Sequence, residues 1–429
     1  MEGMELVTSP TSSRSQISDP SAAEAAGAPA RKVAIASFLR SMASDEAALP
    51  VALLGIPFDP MTIDRAVERI SAMIDQVSFH HVVTANVDFL VQASRDSELR
   101  RILFDAELVL CDGTPLVWAS RWLGNALPGR AAGSDLVPAL VRRAAVRRWR
   151  IFLLGGADGV AEEASRRLAA QYPDLPKIAY FAPVHAPLER MDNDEIAAHI
   201  RAAKPDLLLV SFGCPKQEKW IARHARDLGV PVAIGVGATV DFLAGRVRRA
   251  PVWMRRCGLE WGYRLLQEPR RLFRRYVDDL FHFIPEIVAQ RWWTRPGAAS
   301  KRLARRSVAI LAGQWLRVRA GDELDADGLR REGRFWSSAV SQTRDCLLDL
   351  AGVRHIDSTG LAVLARWRKR LADNNRRLVL FRPSAVVRGA LERMRLLHLF
   401  VISDKNPDAR GKKDDGKDRV ARMQDVIRR

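Results

Sequence analysis

PDLLLVSFGCPKQEKWIARHARDLGVPVAIGVGATV, residues 205–240, sets the fold class. Leu207–Ser211 is a continuous apolar run of strand length. It ends in the polar loop Gly213-Cys214-Pro215-Lys216-Gln217-Glu218. Gln217–Leu228 then carries apolar residues at helical spacing, and Val232–Val236 is a second apolar run. Apolar strands joined by an amphipathic helix predict a mostly parallel sheet covered on both faces.

The same alternation extends toward the N-terminus. Strands are expected at Val51–Ile56, His81–Ala85, Leu108–Cys111, Arg150–Leu154 and Lys177–Tyr180. Helices are expected at Ile63–Ile74, Phe89–Arg95, Val160–Leu168 and Asp194–Ala203. This defines a Rossmann-like α/β domain over residues 49–245. In such sheets ligands sit beyond the carboxyl ends of the strands, so the informative loops follow Ala85, Cys111, Leu154, Ser211 and Val236.

At 429 residues the chain is too long for one ordinary core. Residues 1–48, rich in Ser, Ala and Pro, read as a flexible tail with a short helix near Val33–Met42. Residues 307–404 form a second, smaller α/β unit. Its strands are expected near Val308–Leu311, Leu347–Leu350 and Leu378–Phe381, its helices near Leu361–Leu371 and Val386–Met394. Residues 294–306 are a Pro/Gly/basic linker and 405–429 a charged tail.

The net charge of +18 calls for an anionic partner: nucleic acid, anionic lipid or a phosphorylated substrate. Much of it sits in residues 246–293, where arginines alternate with large apolar residues, at helical spacing from Leu272 to Ile287. Basic and aromatic residues on one amphipathic segment mark an interfacial helix that docks on an anionic membrane surface. A merely solvated basic face is the plainer reading of the same segment, and nucleic acid is the disfavoured partner, because these aromatics lack the arrangement of a stacking platform. There is no signal-peptide pattern and no run of roughly 20 apolar residues. The four cysteines show no CxxC spacing, which favours a reducing compartment. The expected location is cytoplasmic, peripheral on the inner face of the cell membrane.

Several loops carry candidate chemistry. Asp112 follows the run Leu108–Cys111 and precedes Gly113, where a carboxylate is presented as a general base; an Asp here also stabilises a turn or caps a helix. Gly155-Gly156-Ala157-Asp158-Gly159 and Gly235-Val236-Gly237-Ala238 suit a phosphate on backbone N–H groups, or simply tight turns. The Asp-x-Asp strings at 192–194 and 325–327 read better as helix N-caps than as metal ligands. The eight histidines lack metal-ligand spacing, so neither a metal nor a cofactor is expected.

Taken in order, HVVTANVDFL, LCDGTPLVWASRWLG, GRAAGSDL, SFGCPKQEKWI, GVGATVDFLAG and APVWMRRCGLEWGYRLLQEPRRLFRRY resemble the WecG/TagA/CpsF glycosyltransferases over about residues 50–290. The resemblance implies metal-independent, inverting transfer from a UDP-sugar donor to a polyprenyl-diphosphate-linked saccharide, completed by a basic C-terminal appendage. It makes Asp112 the expected base. Thr84, Asn86, Arg130 and Gln217 become substrate-binding residues, and Arg264, Arg271 and Arg274 hold the UDP diphosphate. Gly213, Gly237 and Asp241 are further nucleotide-pocket candidates.

LLDLAGVRHIDSTGLAVLARW, residues 347–367, resembles the strand-turn-helix of STAS domains of anti-sigma-factor antagonists and sulfate transporters. That resemblance makes Thr359, with Ser358 beside it, the candidate phospho-acceptor, and implies a protein partner. A hydroxyl near a helix N-terminus suits an added phosphate, although it also serves as a plain N-cap. Two other readings stand beside the enzyme: a non-catalytic membrane scaffold acting through this domain, and a nucleic-acid-binding regulator.

Overall fold

The computed structural model describes residues 49–76, 78–294, 305–312, 315–340 and 344–404. The N-terminal tail with its expected short helix, most of the linker and the charged C-terminal tail lie outside the described residues.

The chain opens with the antiparallel hairpin β1 (Val51–Leu53) and β2 (Ile56–Phe58) where a single strand was expected. It turns back at Leu54 and Gly55, whose φ values of 48° and 85° are those of a two-residue hairpin turn. There follow α1 (Ile63–Ile74), β3 (His80–Ala85), α2 (Val87–Arg95), α3 (Ser97–Asp105), β4 (Leu108–Cys111), α4 (Thr114–Trp122) and α5 (Gly133–Arg147). Next come β5 (Ile151–Gly155), α6 (Val160–Gln171), β6 (Ala179–Phe181), α7 (Asn193–Ala203), β7 (Leu207–Ser211), α8 (Lys216–His224), β8 (Val232–Gly235) and α9 (Thr239–Leu243). Strands β3 to β8 form one sheet in the order β4-β3-β8-β7-β5-β6, parallel throughout.

Alternation along β7 shows why its first four residues, Leu207 to Val210, are apolar. Leu207 and Leu209 pack into a cluster with Leu136 and Leu140 of α5. Leu208 and Val210 pack with Ile196 of α7 and the fully buried Trp220 of α8. A strand covered on both faces has no side left for polar residues.

The basic segment forms α10 (Val252–Arg256), α11 (Glu260–Gln267) and α12 (Pro269–Trp293). One side of α12 buries Leu272, Phe283 and Ile287, while Phe273, Phe281 and Trp292 stay exposed. Gln290 of α12 caps the hairpin turn: its Nε2 donates to the Ala52 carbonyl (2.8 Å) and its Oε1 accepts from the Leu54 N–H (2.9 Å). Among the described residues no helix is long and apolar enough to cross a membrane.

The second unit comprises β9 (Val308–Ala312), β10 (Trp315–Arg319), β11 (Glu323–Leu324), α13 (Ala326–Arg331), α14 (Gly333–Val340), β12 (Asp345–Asp349), β13 (His355–Ile356), α15 (Ser358–Asp373), β14 (Leu378–Phe381), α16 (Ala385–Arg393) and β15 (Val401–Ser403). Five strands lie in the order β15-β14-β12-β10-β9, with β9 antiparallel to β10 and the other pairs parallel. Helix α15 packs on the hairpin, placing Leu53, Ile56 and Phe58 in one apolar cluster with Leu361 and Leu364. Both Asp-x-Asp strings are caps, Asp192 accepting from Glu195 N–H and Asp325 from Gly328 N–H.

Candidate active site

A cavity of about 1000 Å³ opens beyond the carboxyl ends of β3, β4, β7 and β8. Its floor carries Thr84, Asn86, Asp112, Arg130, Gln217 and the Gly213 and Gly237 loops. Helices α11 and α12 supply a further wall, with Glu260 and Arg264 near the polar end and Leu280 and Ile284 toward the apolar one.

Asp112 stands one residue past β4, half-buried, with Oδ2 accepting from the Gly133 N–H at 3.3 Å. Burial pushes its carboxyl above the usual range, opposed by Arg130, the Gly133 N–H and Arg264. A carboxylate held this way is a stronger proton acceptor than an exposed one.

The other floor residues act largely as a frame. Arg130 is engaged by two carboxylates, Glu260 of α11 and Asp135 (3.0 Å), so it ties the floor to the basic appendage. Arg249 reaches the same Asp135 at 2.8 Å. Asn86 caps α2 by accepting from the Phe89 N–H (3.3 Å), and the Thr84 hydroxyl donates to the Gly235 carbonyl (3.4 Å). Gln217, 2% exposed, accepts at Oε1 from the N–H groups of both Gly213 and Gly237, each at 3.1 Å. Gln217 thus ties the two glycine loops together while lining the cavity.

Of the expected diphosphate arginines, Arg264 lines the cavity, its guanidinium 5.2 Å from the Phe242 ring centroid. Arg274 is exposed and does not line it, whereas its neighbour Arg275 does. The Arg271 side chain lies outside what is described. Asp241 also lies away from the cavity lining, and its carbonyl accepts from the Arg246 N–H. Ser358 and Thr359 are each 2% exposed, so the expected phospho-acceptors do not face solvent.

Three acids escaped the sequence reading. Glu260 neutralises Arg130, and Asp279 of α12 lines the cavity with its carboxyl pushed up to about 7 by burial and by Asp88. Glu218 is fully buried beside Gln217. Glu218 and Glu260 stood in noticed motifs, SFGCPKQEKWI and APVWMRRCGLEWGYRLLQEPRRLFRRY, but nothing in either motif said where the side chain points.

The model of the glycosyl transferase WecG/TagA/CpsF family matches residues 51–297. The chain belongs to the WecG/TagA/CpsF family of glycosyltransferases. It is similar to proteins of Staphylococcus aureus strains MW2 and NCTC 8325 called N-acetylglucosaminyldiphosphoundecaprenol N-acetyl-beta-D-mannosaminyltransferase. Each is 32% identical over 235 residues, which cover 54% of this chain and 91% of the relative. As a WecG/TagA/CpsF member the chain is a hexosyltransferase, so its family-matching loops converge where the sheet presents Asp112. Residues 311–402 match the model of the Mlab STAS domain, which makes this transferase a fusion. The unphosphorylated anti-sigma factor antagonist SpoIIAA is similar to 28% of the chain, with 97% of its own length covered, 16% identity and a TM-score of 0.20.

Proposed function

We propose that this chain transfers a hexosyl unit from a UDP-sugar to a polyprenyl-diphosphate-linked saccharide by a single, inverting displacement. The observation that carries the reading is Asp112: a carboxylate with a raised pKa, at a strand end, in a cavity shared with Arg264 and Arg275. Asp112 takes the proton of an acceptor hydroxyl, whose oxygen attacks the anomeric carbon as the bond to UDP breaks. Arg264 and Arg275 meet the charge developing on the departing diphosphate. The names of the Staphylococcus aureus relatives point to an N-acetylglucosaminyl-diphospho-lipid as the acceptor class and to an N-acetylmannosaminyl group as the first donor to try. The exposed Phe273, Phe281 and Trp292 of α12, beside the arginines, support peripheral docking on an anionic membrane, where such an acceptor resides.

The test is Asp112→Asn, which keeps the shape and the Gly133 contact. Turnover with UDP-N-acetylmannosamine and a lipid-linked N-acetylglucosamine acceptor should fall by about 10²–10⁴-fold, with UDP affinity unchanged. Turnover at the wild-type rate removes Asp112 as the base.

A further inference from the structure

We propose that the STAS domain is docked in cis, with α15 clamping the two chain segments that set the wall and floor of the catalytic cavity, and that Asn125 is the positioning residue of this clamp. The functional half of the proposal rests on the transferase reading above; the docking half does not.

One jaw is at the N-terminus of α15. Asp357 caps the helix, its Oδ1 accepting from the N–H groups of Thr359 (2.8 Å) and Gly360 (3.0 Å). Its Oδ2 accepts from the Ala326 N–H (3.1 Å) and from Asn125 Nδ2 (3.2 Å). The same Asn125 amide donates to Ser358 Oγ at 3.4 Å. Asn125 is buried in the loop that follows α4 and leads to Arg130. Helix α4 begins two residues after Asp112 and presents Trp118 and Trp122 to the cavity. The turn of the STAS domain thus holds the loop between the cavity's tryptophan wall and its framing arginine.

The other jaw is two to three helical turns further along α15. Arg366 donates to the carbonyls of Ala106 (2.8 Å) and Pro57 (3.2 Å) and pairs with Asp59. Lys369 reaches Glu107 at 2.9 Å, and Arg368 pairs with Asp105. Ala106 and Glu107 lead directly into β4, whose far end delivers Asp112. The Lys369 and Glu107 side chains are only 12% and 25% exposed, so this pair is shielded from the screening that weakens surface pairs. Between the jaws the shared apolar cluster of Phe58, Ile56, Leu361 and Leu364 excludes water.

The Ser358 hydroxyl is consequently already engaged by Asn125 of this chain's own transferase domain. Any event that frees that hydroxyl has to release Asn125 as well.

The full-length chain tests this by hydrogen exchange and by turnover. Lys369→Glu or Glu107→Lys alone should speed exchange in hairpin residues 51–58, which report docking, and in α4, which reports coupling. Each should cut kcat/KM by about tenfold or more, and the double swap should recover part of all three readouts, because Asp373 beside position 369 and Arg69 beside position 107 oppose the exchanged charges. Asn125→Ala should leave the hairpin protected while loosening α4 and lowering kcat with UDP affinity retained. The clamp is overturned if neither single reversal opens the hairpin. Coupling is overturned if the hairpin opens while α4 keeps wild-type exchange, or if Asn125→Ala turns over normally. A wild-type chain inactive with UDP-sugars and lipid-linked acceptors would sink the transferase reading, leaving both exchange readouts to decide docking and coupling.

Discussion

Replacing Glu218 by Gln should make the chain's stability less dependent on pH, by an amount the structure lets one work out. Glu218 is 0% exposed; its Oε1 accepts from Gln217 Nε2 at 2.8 Å, and its Oε2 is buried with no hydrogen-bond partner. Burial pushes the carboxyl from the ordinary 4.5 up to about 8. Below pH 4.5 the folded and unfolded chains both hold the proton. Between 4.5 and 8 only the folded chain holds it, so stability is lost as pH rises and levels off above 8. At about 1.36 kcal/mol per pH unit, the loss between pH 4.5 and pH 7 is about 3 kcal/mol. Gln cannot ionise, so that slope disappears. Its NH2 group, buried without a partner where Oε2 stood, costs about 1–3 kcal/mol at every pH and shifts the curve without tilting it. Urea midpoints followed through tryptophan fluorescence give the comparison, because the buried Trp220 lies on the same helix. The variant-minus-wild-type difference should grow by about 3 kcal/mol from pH 4.5 to pH 7. A difference constant across that range would mean that Glu218 is ionised in the folded chain, and the buried neutral acid would have to be abandoned.

Two further outcomes follow from the same geometry. Gln217→Ala removes the acceptor shared by Gly213 and Gly237; it should cost about 1–3 kcal/mol of stability and speed exchange of those two amides, while a silent variant would deny the strut. Phe281→Glu together with Trp292→Glu should lower co-flotation with anionic vesicles by at least about tenfold, since each large apolar side chain contributes about 1.5–3 kcal/mol when removed from water; undiminished flotation would remove α12 as the membrane contact.

Much of the sheet was readable because its strands are apolar runs bounded by polar loops. Leu108–Cys111 and Leu207–Ser211 begin and end in the structure where the sequence places them. The hairpin at Leu54–Gly55 was hidden for the same reason: apolar residues continue through the turn, so periodicity gave no break. Helix α5 was missed because its first residues belong to the GSDL loop and Pro138 interrupts its pattern. Asp112 was readable as a candidate because a base at a strand end depends only on local order. The work of Gln217 was not, since its partner Gly237 lies 20 residues away across two loops. The cover over Ser358 was illegible for a similar reason, since it is supplied by Asn125, 233 positions earlier.

The hairpin β1–β2 has a consequence for how this gene can be cut and recombined. Leu53, Ile56 and Phe58 are fully buried, in one cluster with residues of α15. A chain ended in the linker would present that apolar ribbon to water and to other copies of itself, an invitation to aggregate. Neither part can be exchanged for a homologous one unless the incoming surface fits the hairpin. The joint seen in the sequence as a Pro/Gly-rich linker is thus not a place where evolution or an engineer can separate the modules freely.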